Sequence, residues 1–584
     1  MKTYYTNERN IQQIIFLLKA HGIKKVIVNP GSSNVSFVAS IQNDPFFEMY
    51  SVVDERSAAY FACGLSAESG EPVVISCTGA TSSRNYIPGL TEAYYRKLPI
   101  VVVTALMHSG YIGQNKPQVV DRRIPLNDIV RYSAQIDIVN SEDDEWANEV
   151  KINTALLELY HNGGGPVHLN MVTTFSSNFS VQKLPSSRVI YKLYKDSEFP
   201  ALNEKKVAIF VGNHKKWSEK LVEAVDTFCE KYNAVVFGDH TSNYNGKYFI
   251  LVNLISTQSQ YHSESLDVDV LIDMGDVSGA YIDINAKEVW RVNPDGMIRD
   301  NRKRQKYVFE MEEIELFKKY NQLTLNAKNI SNYLFATNEY KKIYEKINDN
   351  DLRFSNIWVA YATAGKLPQN SVIHFAILNS LRAWNFFKYD NSIMGYCNTG
   401  GFGIDGCTSS LIGASTVHTD KLYFLITGDL AFFYDINVIG NRHIGKNVRI
   451  ILVNNGLGTE FKNYSCLASK FGNDTDIFIS AAGHNGNKSK NLVKNLVTDL
   501  GFDYFSADSK DSYNKVLPNF LDATNNRPIV LEIFTDSKDE SDALYMVNNI
   551  EISISDYTKN KFKQIAKEIL GESGTQALKK RLKG

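Results

Sequence analysis

Ile426-Thr-Gly-Asp-Leu-Ala-Phe-Phe-Tyr-Asp-Ile-Asn437, followed by Arg449-Ile-Ile-Leu-Val-Asn-Asn-Gly-Leu-Gly458, decides how this chain is read. One apolar run, Leu422 to Thr427, stops at Gly428-Asp429; a second, Ile450 to Val453, stops at Asn454-Asn455. Apolar runs of this length closed by turn residues predict buried parallel strands. Open α/β sheets bind ligands at the carboxyl ends of their strands, and there Asp429 and Asn455 would meet. A carboxylate, an amide oxygen and a nearby main-chain carbonyl form a partial set of hard oxygen ligands. Mg²⁺ accepts such a set while phosphate and water complete its shell. Gly428 lets the backbone approach a phosphate closely. The stretch predicts a site for a metal-bridged diphosphate.

Outward from it the chain repeats one pattern. Val372-Ile-His-Phe-Ala376 upstream and Pro528-Ile-Val-Leu-Glu-Ile-Phe534 downstream read as further strands. Near the start, strands at 25–29, 50–53, 72–76, 99–104 and 166–171 alternate with helices at 6–21, 55–69 and 83–95. That alternation implies parallel sheets covered on both faces. A polar, proline-bearing linker from Thr174 to about Leu202 leads to strands at 207–212 and 268–273 around a helix at 217–231. The fold class is α/β, with three doubly wound parallel-sheet domains at 1–185, 186–345 and 346–548. A charged tail, 549–584, is expected to form a peripheral helix. The most basic stretch, Arg299-Asp-Asn-Arg-Lys-Arg-Gln-Lys306, reads as a solvated loop or, alternatively, as a gate over an anionic substrate.

At 584 residues the chain exceeds one hydrophobic core. With 63 basic against 64 acidic residues, net charge gives no reason to expect nucleic acid or an anionic membrane. Six cysteines form no CxxC and no regular spacing, so neither zinc nor disulfides are suggested. The first residues lack the apolar core of a signal peptide, and no stretch reaches the roughly 20 apolar residues that span a bilayer. A cytoplasmic protein without a membrane partner is the expectation.

Asp54-Glu55-Arg56 opens a helix rich in small residues, Ser57 to Gly64; an acid there ordinarily answers the helix dipole. Thr78-Gly79 begins a turn running to Asn85, and Asn398 to Gly406 is a glycine-rich loop before another helix. His108 and His484 lie in loops, where the ordinary reading is a satisfied or exposed histidine and proton transfer is the alternative. Cys63 and Cys77 read as core packing.

These motifs together resemble the thiamine-diphosphate enzymes, whose diphosphate motif opens with Gly-Asp and closes with paired asparagines. Asp429 and Asn455 stand 26 positions apart, with Asn437 between them. The closest likeness is to the menaquinone-pathway synthases that join a decarboxylated 2-oxoglutarate to isochorismate. By that resemblance Asp429, the Asn455 side chain and the Leu457 carbonyl hold Mg²⁺, and Gly428, Leu430 and Ala431 border the diphosphate. Leu430 stands where many members have Gly or Ala. Glu55 matches the glutamate that bonds the cofactor's pyrimidine ring and helps the cofactor lose its C2 proton. Thr78 and Asn85 match the lining of the same pocket, with one extra residue before the asparagine. Ile404 matches the residue that props the cofactor in its bent form, Ser380 a contact near the diphosphate, and Gln118 an active-site loop position. The likeness covers nearly all of 5–545, in the order pyrimidine-binding, middle and diphosphate-binding domain, the middle one in pattern only. It implies a homodimer or homotetramer with the active site between subunits.

Departures concern substrate. Ser33, Met107, Thr399 and Trp384 stand where the synthases place cationic substrate contacts, although Arg382 is two positions from Trp384. The middle-domain Lys-Arg pair is replaced near Ala280-Tyr281. Each lost charge-assisted contact is worth on the order of 1.5–3 kcal/mol. The implied function is decarboxylation of a 2-oxoacid with transfer of the acyl carbanion equivalent to a carbonyl or enone acceptor. The alternatives are a plain 2-oxoacid decarboxylase that releases an aldehyde, and a cofactor-binding protein without turnover. A small monoanionic donor and a pocket lined by Met107, His108, Tyr111 and Trp384 are expected.

Overall fold

A computed structural model describes residues 4–280, 282–324, 331–484 and 489–552. Tyr281, part of the loop after His484, and the predicted helix of the tail beyond 552 lie outside the described residues. Contacts divide the chain into two compact units, Met1–Glu198 with Asn293–Met311, and Phe199–Val292 with Glu312–Gly584.

The first unit is built on six parallel strands: β1 (Lys25–Val28), β2 (Glu48–Ser51), β3 (Val73–Cys77), β4 (Ile100–Leu106), β5 (Tyr132–Ile136) and β6 (Val167–Val172). Their order is β2-β1-β3-β4-β6-β5. Every residue of β3, β4 and β6 is buried, as strands covered on both faces must be. The helix Glu55–Ser69 turns Ala58, Ala59, Ala62 and Cys63 inward. A Cβ on Gly89 would lie 2.5 Å from the Ala59 Cβ, so glycine lets the next helix press against this small-residue face. The helix predicted over 83–95 is two, Thr81–Asn85 and Ile87–Tyr95, because Pro88 restarts the ladder in its first turn. β7 (Tyr191–Leu193) belongs to this unit as well.

The second unit holds β8 (Val207–Val211), β9 (Val235–Gly238), β10 (Phe249–Leu251), β11 (Asp267–Met274) and β12 (Asn285–Val292), in the order β10-β9-β8-β11-β12. Back in the first unit, β13 (Gln305–Phe309) pairs in parallel with β7. The segment that begins the basic stretch is tied down: Arg299 pairs with Asp295 at 2.5 Å, Lys303 with Asp143, and Arg304 and Gln305 donate backbone N–H groups to Asp300. Arg299, Asn301, Lys303 and Arg304 are exposed in a turn, so the stretch is a solvated loop whose charges are partly paired.

The last six strands are β14 (Val372–Phe375), β15 (Met394–Cys397), β16 (Tyr423–Gly428), β17 (Val448–Asn454), β18 (Asp503–Ala507) and β19 (Ile529–Phe534). Their order, β15-β14-β16-β17-β19-β18, repeats that of the first sheet strand for strand. β16 and β17 are parallel neighbours with Gly428 opposite Val453. Three parallel sheets thus make up the α/β architecture.

Candidate functional site

Asp429 begins the helix Asp429–Tyr434 directly after β16 and is 2% exposed. Its Oδ1 accepts from the Leu430 N–H at 2.8 Å and its Oδ2 from the Gly456 N–H at 2.6 Å. The backbone after β17 is therefore fastened to the end of β16 by this carboxylate. Gly456 makes that turn with a φ of 81°, in the left-handed region that favours glycine. The two asparagines divide. Asn454 donates to Glu532 on β19 (2.7 Å), which also accepts from Tyr504 on β18 (2.7 Å). Burial raises the Glu532 pKa, against these hydrogen bonds. The Asn455 Oδ1 is buried and has no hydrogen-bond partner.

An orphaned amide oxygen, a carboxylate one strand away and the Leu457 carbonyl nearby in sequence are the donor set for a hard cation. Gly428 has open space where a Cβ would project, as a phosphate cradle requires. These residues fit a metal-held diphosphate. Around them, Leu430 and Ala431 follow in the same helix, and Leu430 packs near Gly458. Ser380 is buried in the helix Asn379–Trp384, entered through Leu378 at a strained φ of 65°. Ile404 is half-buried and touches the apolar clusters on both faces of the sheet.

Two side chains depart from expectation. Trp384 is fully buried in the apolar core of the second unit. Helical spacing explains this: Trp384 lies four residues after Ser380, on the same inward face. Arg382 is consumed by Glu460 at 2.6 Å. His484 was legible only as a loop histidine, yet its Nε2 lies 3.3 Å from the Asp429 Oδ2 and its ring packs near Phe433. Neither this contact nor the role of Glu532 was anticipated. The one available signal was an acid inside the otherwise apolar run 528–534.

The first unit carries the other group of residues. Glu55 is the first residue of its helix, but Asp54 supplies the cap, accepting from the Ser57 N–H at 2.7 Å. The ordinary task of an acid at this place is thus performed by its neighbour. The Asn85 amide reaches Glu55 Oε2 at 3.4 Å. Thr78 donates to Ser82 (3.0 Å), and the Gly79 N–H to the Ser33 hydroxyl (3.4 Å). Gln118 has a φ of 63°, and its carbonyl would stand 3.0 Å from a Cβ on Gly79, so loop and turn converge. His108 is exposed and its Nδ1 accepts from the Gly110 N–H (3.1 Å), the satisfied reading. Thr399, in the second unit, accepts from Asn213 at 2.9 Å.

Residues 10–123 match the family described as "Thiamine pyrophosphate enzyme, N-terminal TPP binding domain". Over 568 residues the chain is 30% identical to the 2-succinyl-5-enolpyruvyl-6-hydroxy-3-cyclohexene-1-carboxylate synthase of Phocaeicola vulgatus, covering 92% of this chain and 98% of that one. The synthase of the same name from Bacteroides fragilis is 29% identical over 570 residues, with the same coverage. That of Flavobacterium johnsoniae is 28% identical over 554 residues, 90% and 95% of the two chains. The chain is a thiamine-diphosphate-dependent enzyme and belongs to the family of these synthases.

Proposed function

We propose that this enzyme uses thiamine diphosphate and Mg²⁺ to decarboxylate a small monoanionic 2-oxoacid and pass the acyl unit to a carbonyl or enone acceptor. The observation that carries the metal is the buried, partnerless Asn455 Oδ1 beside the Asp429 carboxylate. Asp429, Asn455 and the Leu457 carbonyl hold Mg²⁺; Gly428, Leu430, Ala431 and Ser380 border the diphosphate, and Ile404 supports the bent cofactor. Bound thiamine diphosphate supplies a nucleophilic ring carbon and an electron sink for the carboxylate's electrons. Glu55 bonds the pyrimidine and shares its proton, with Thr78, Asn85 and Gln118 lining that pocket. Three domains, 1–185, 186–345 and 346–548, fit this division of labour. The pyrimidine side of one subunit faces the diphosphate side of another in a homodimer or homotetramer. Among the described residues no helix is long and apolar enough to cross a membrane, and a cytoplasmic place suits the reading.

Ser33, Met107 and Thr399 support the donor assignment. A second carboxylate on the donor would lose its hydration without gaining a cationic partner from these residues. Pyruvate has no such carboxylate; 2-oxoglutarate has. The test is a panel of 2-oxoacids with thiamine diphosphate and Mg²⁺, with CO₂ and products followed by mass spectrometry with and without carbonyl acceptors. Aldehyde as the product under all acceptor conditions would establish the plain decarboxylase instead. Turnover of 2-oxoglutarate with isochorismate, faster than pyruvate with any acceptor, would overturn the donor assignment.

A further inference from the structure

Arg122 lies in the first unit and is 8% exposed. Its Nη2 donates to the Ala105 carbonyl (2.8 Å) and Asn170 Oδ1 (2.7 Å), and its Nη1 to the Ser83 hydroxyl (3.0 Å). All three acceptors are neutral. Asp121, next in sequence, pairs instead with Arg123 at 2.7 Å; of the two groups that act electrostatically on Arg122, Cys77 is a buried thiol whose pKa burial pushes up to about 12, and Arg84 is a second cation. The Nε of Arg122 is buried without a partner. His168 adds no charge: its Nε2 meets the Thr104 hydroxyl at 2.7 Å and its Nδ1 the Ser133 hydroxyl at 2.9 Å, and burial holds the ring neutral, with its pKa down to about 3. Burying a guanidinium without a counter-charge is unfavourable, and the neutral acceptors offset only part of the cost.

Beside this cation is a cavity of about 110 Å³, room for a small organic molecule. Its polar lining is Ser83, Arg84, Thr104, Asp121, Arg122 and His168, with the Asp121 carboxylate already paired with Arg123; Leu90, Val102 and Ile129 belong to its apolar lining. Leu126, 57% exposed, lines it towards solvent. We propose that this cavity is a binding site for a small monocarboxylate with an apolar body, whose carboxylate supplies the counter-charge that Arg122 lacks. The scissile carboxylate of a 2-oxoacid is a poor occupant. A fixed cation stabilises the charge that decarboxylation disperses, and so opposes the step. The ligand is one that keeps its carboxylate, and its binding does not depend on the cofactor assignment.

The probe is isovalerate, with isovaleramide as its uncharged isostere, titrated into the purified full-length chain without thiamine diphosphate. Isovalerate is expected to bind at least about tenfold more tightly than the amide, the difference made by one charge-assisted contact. Arg122→Met should abolish that preference while leaving the melting temperature equal or higher, because an apolar side chain replaces an unpaired buried charge. If Arg122 only braces its loop, the variant loses melting temperature and the wild type shows no preference. Leu126→Glu, at an exposed position, places a repelling carboxylate at the opening and should weaken isovalerate at least about fivefold but not isovaleramide. It tests the site even if Arg122→Met does not fold. Equal binding of acid and amide by the wild type, or no saturable binding of either, overturns the proposal.

Discussion

Asn455→Ala separates metal binding from folding. In the metal-free chain the Asn455 Oδ1 is buried and bonds to nothing, so truncation removes a desolvated acceptor and no hydrogen bond from that oxygen. Relief of an unsatisfied buried polar atom is worth about 1–3 kcal/mol, offset in part by lost packing around a half-buried side chain. The variant should melt at the wild-type temperature or slightly above it without ligands. With Mg²⁺ and thiamine diphosphate the sign reverses, because the same oxygen becomes a ligand. Losing one interaction with a charged partner costs about 1.5–3 kcal/mol, roughly a 10- to 150-fold weaker Kd. Asp429→Ala gives the contrast. It also removes the 2.6 Å hydrogen bond from the Gly456 N–H to the carboxylate, so it should lose both cofactor affinity and ligand-free stability. Calorimetric titration of thiamine diphosphate at saturating Mg²⁺, with thermal melts of the free proteins, reads both quantities. Undiminished cofactor affinity in Asn455→Ala would refute the metal assignment; a large loss of its ligand-free stability would refute the orphan argument.

Other outcomes follow from the same contacts. Glu55→Gln should keep cofactor affinity within a fewfold yet slow proton exchange at the cofactor's C2 by orders of magnitude, read by NMR after acid quench; wild-type exchange would return Glu55 to a dipole role. Asp54→Ala should lower stability modestly through the lost cap on Ser57, seen in denaturant unfolding, with that exchange step intact. Arginine at Ser33, Met107 and Thr399 together should improve the use of 2-oxoglutarate relative to pyruvate in the same CO₂ assay. Glu540 is buried, and desolvation pushes its pKa up to about 7 against its bonds to Thr535 and the Asn356 N–H. A raised folded-state pKa means a contribution fully present below pH 4.5 and lost as pH climbs through 7, on the order of 3 kcal/mol in all. Glu540→Gln should therefore gain stability over the wild type at pH 8 and show little difference at pH 4.5; a constant difference would argue against this titration.

What the sequence discloses depends on how local the physics is. β16 and β17 were legible because both faces of each strand are covered, so every residue up to the turn is apolar, and the turn residues mark their ends. Glu55 at a helix start was legible for the same reason, since its neighbour Asp54 and the small residues behind it are read off one segment. β5 escaped notice: Tyr-Ser-Ala-Gln-Ile is half polar, and its Ser133 answers His168, a residue 35 positions away. β12 likewise opens with Asn285, Lys287 and Glu288, and Lys287 finds Asp269 only once the strands are paired.

Direction is harder to read than position. Matching Trp384 to a substrate-contacting place fixed where its Cα falls along the chain, but the helix Asn379–Trp384 aims its side chain into the core. A cation there in a relative says nothing about which way an indole turns when it replaces it. A largely apolar ring gains by burial, even with its Nε1 left buried and unbonded among the described residues. The aromatic lining expected from Trp384 is not what its burial shows. In the proposed reading substrate choice falls to small side chains, Ser33 and Thr399, both buried and in contact with the Gly79 N–H and Asn213. Both hydroxyls accept in these bonds, and a neutral hydroxyl, whatever its O–H donates to, supplies no charge to neutralise a second carboxylate. The proposed preference for a monoanionic donor therefore rests on the lack of a positive charge at these two residues.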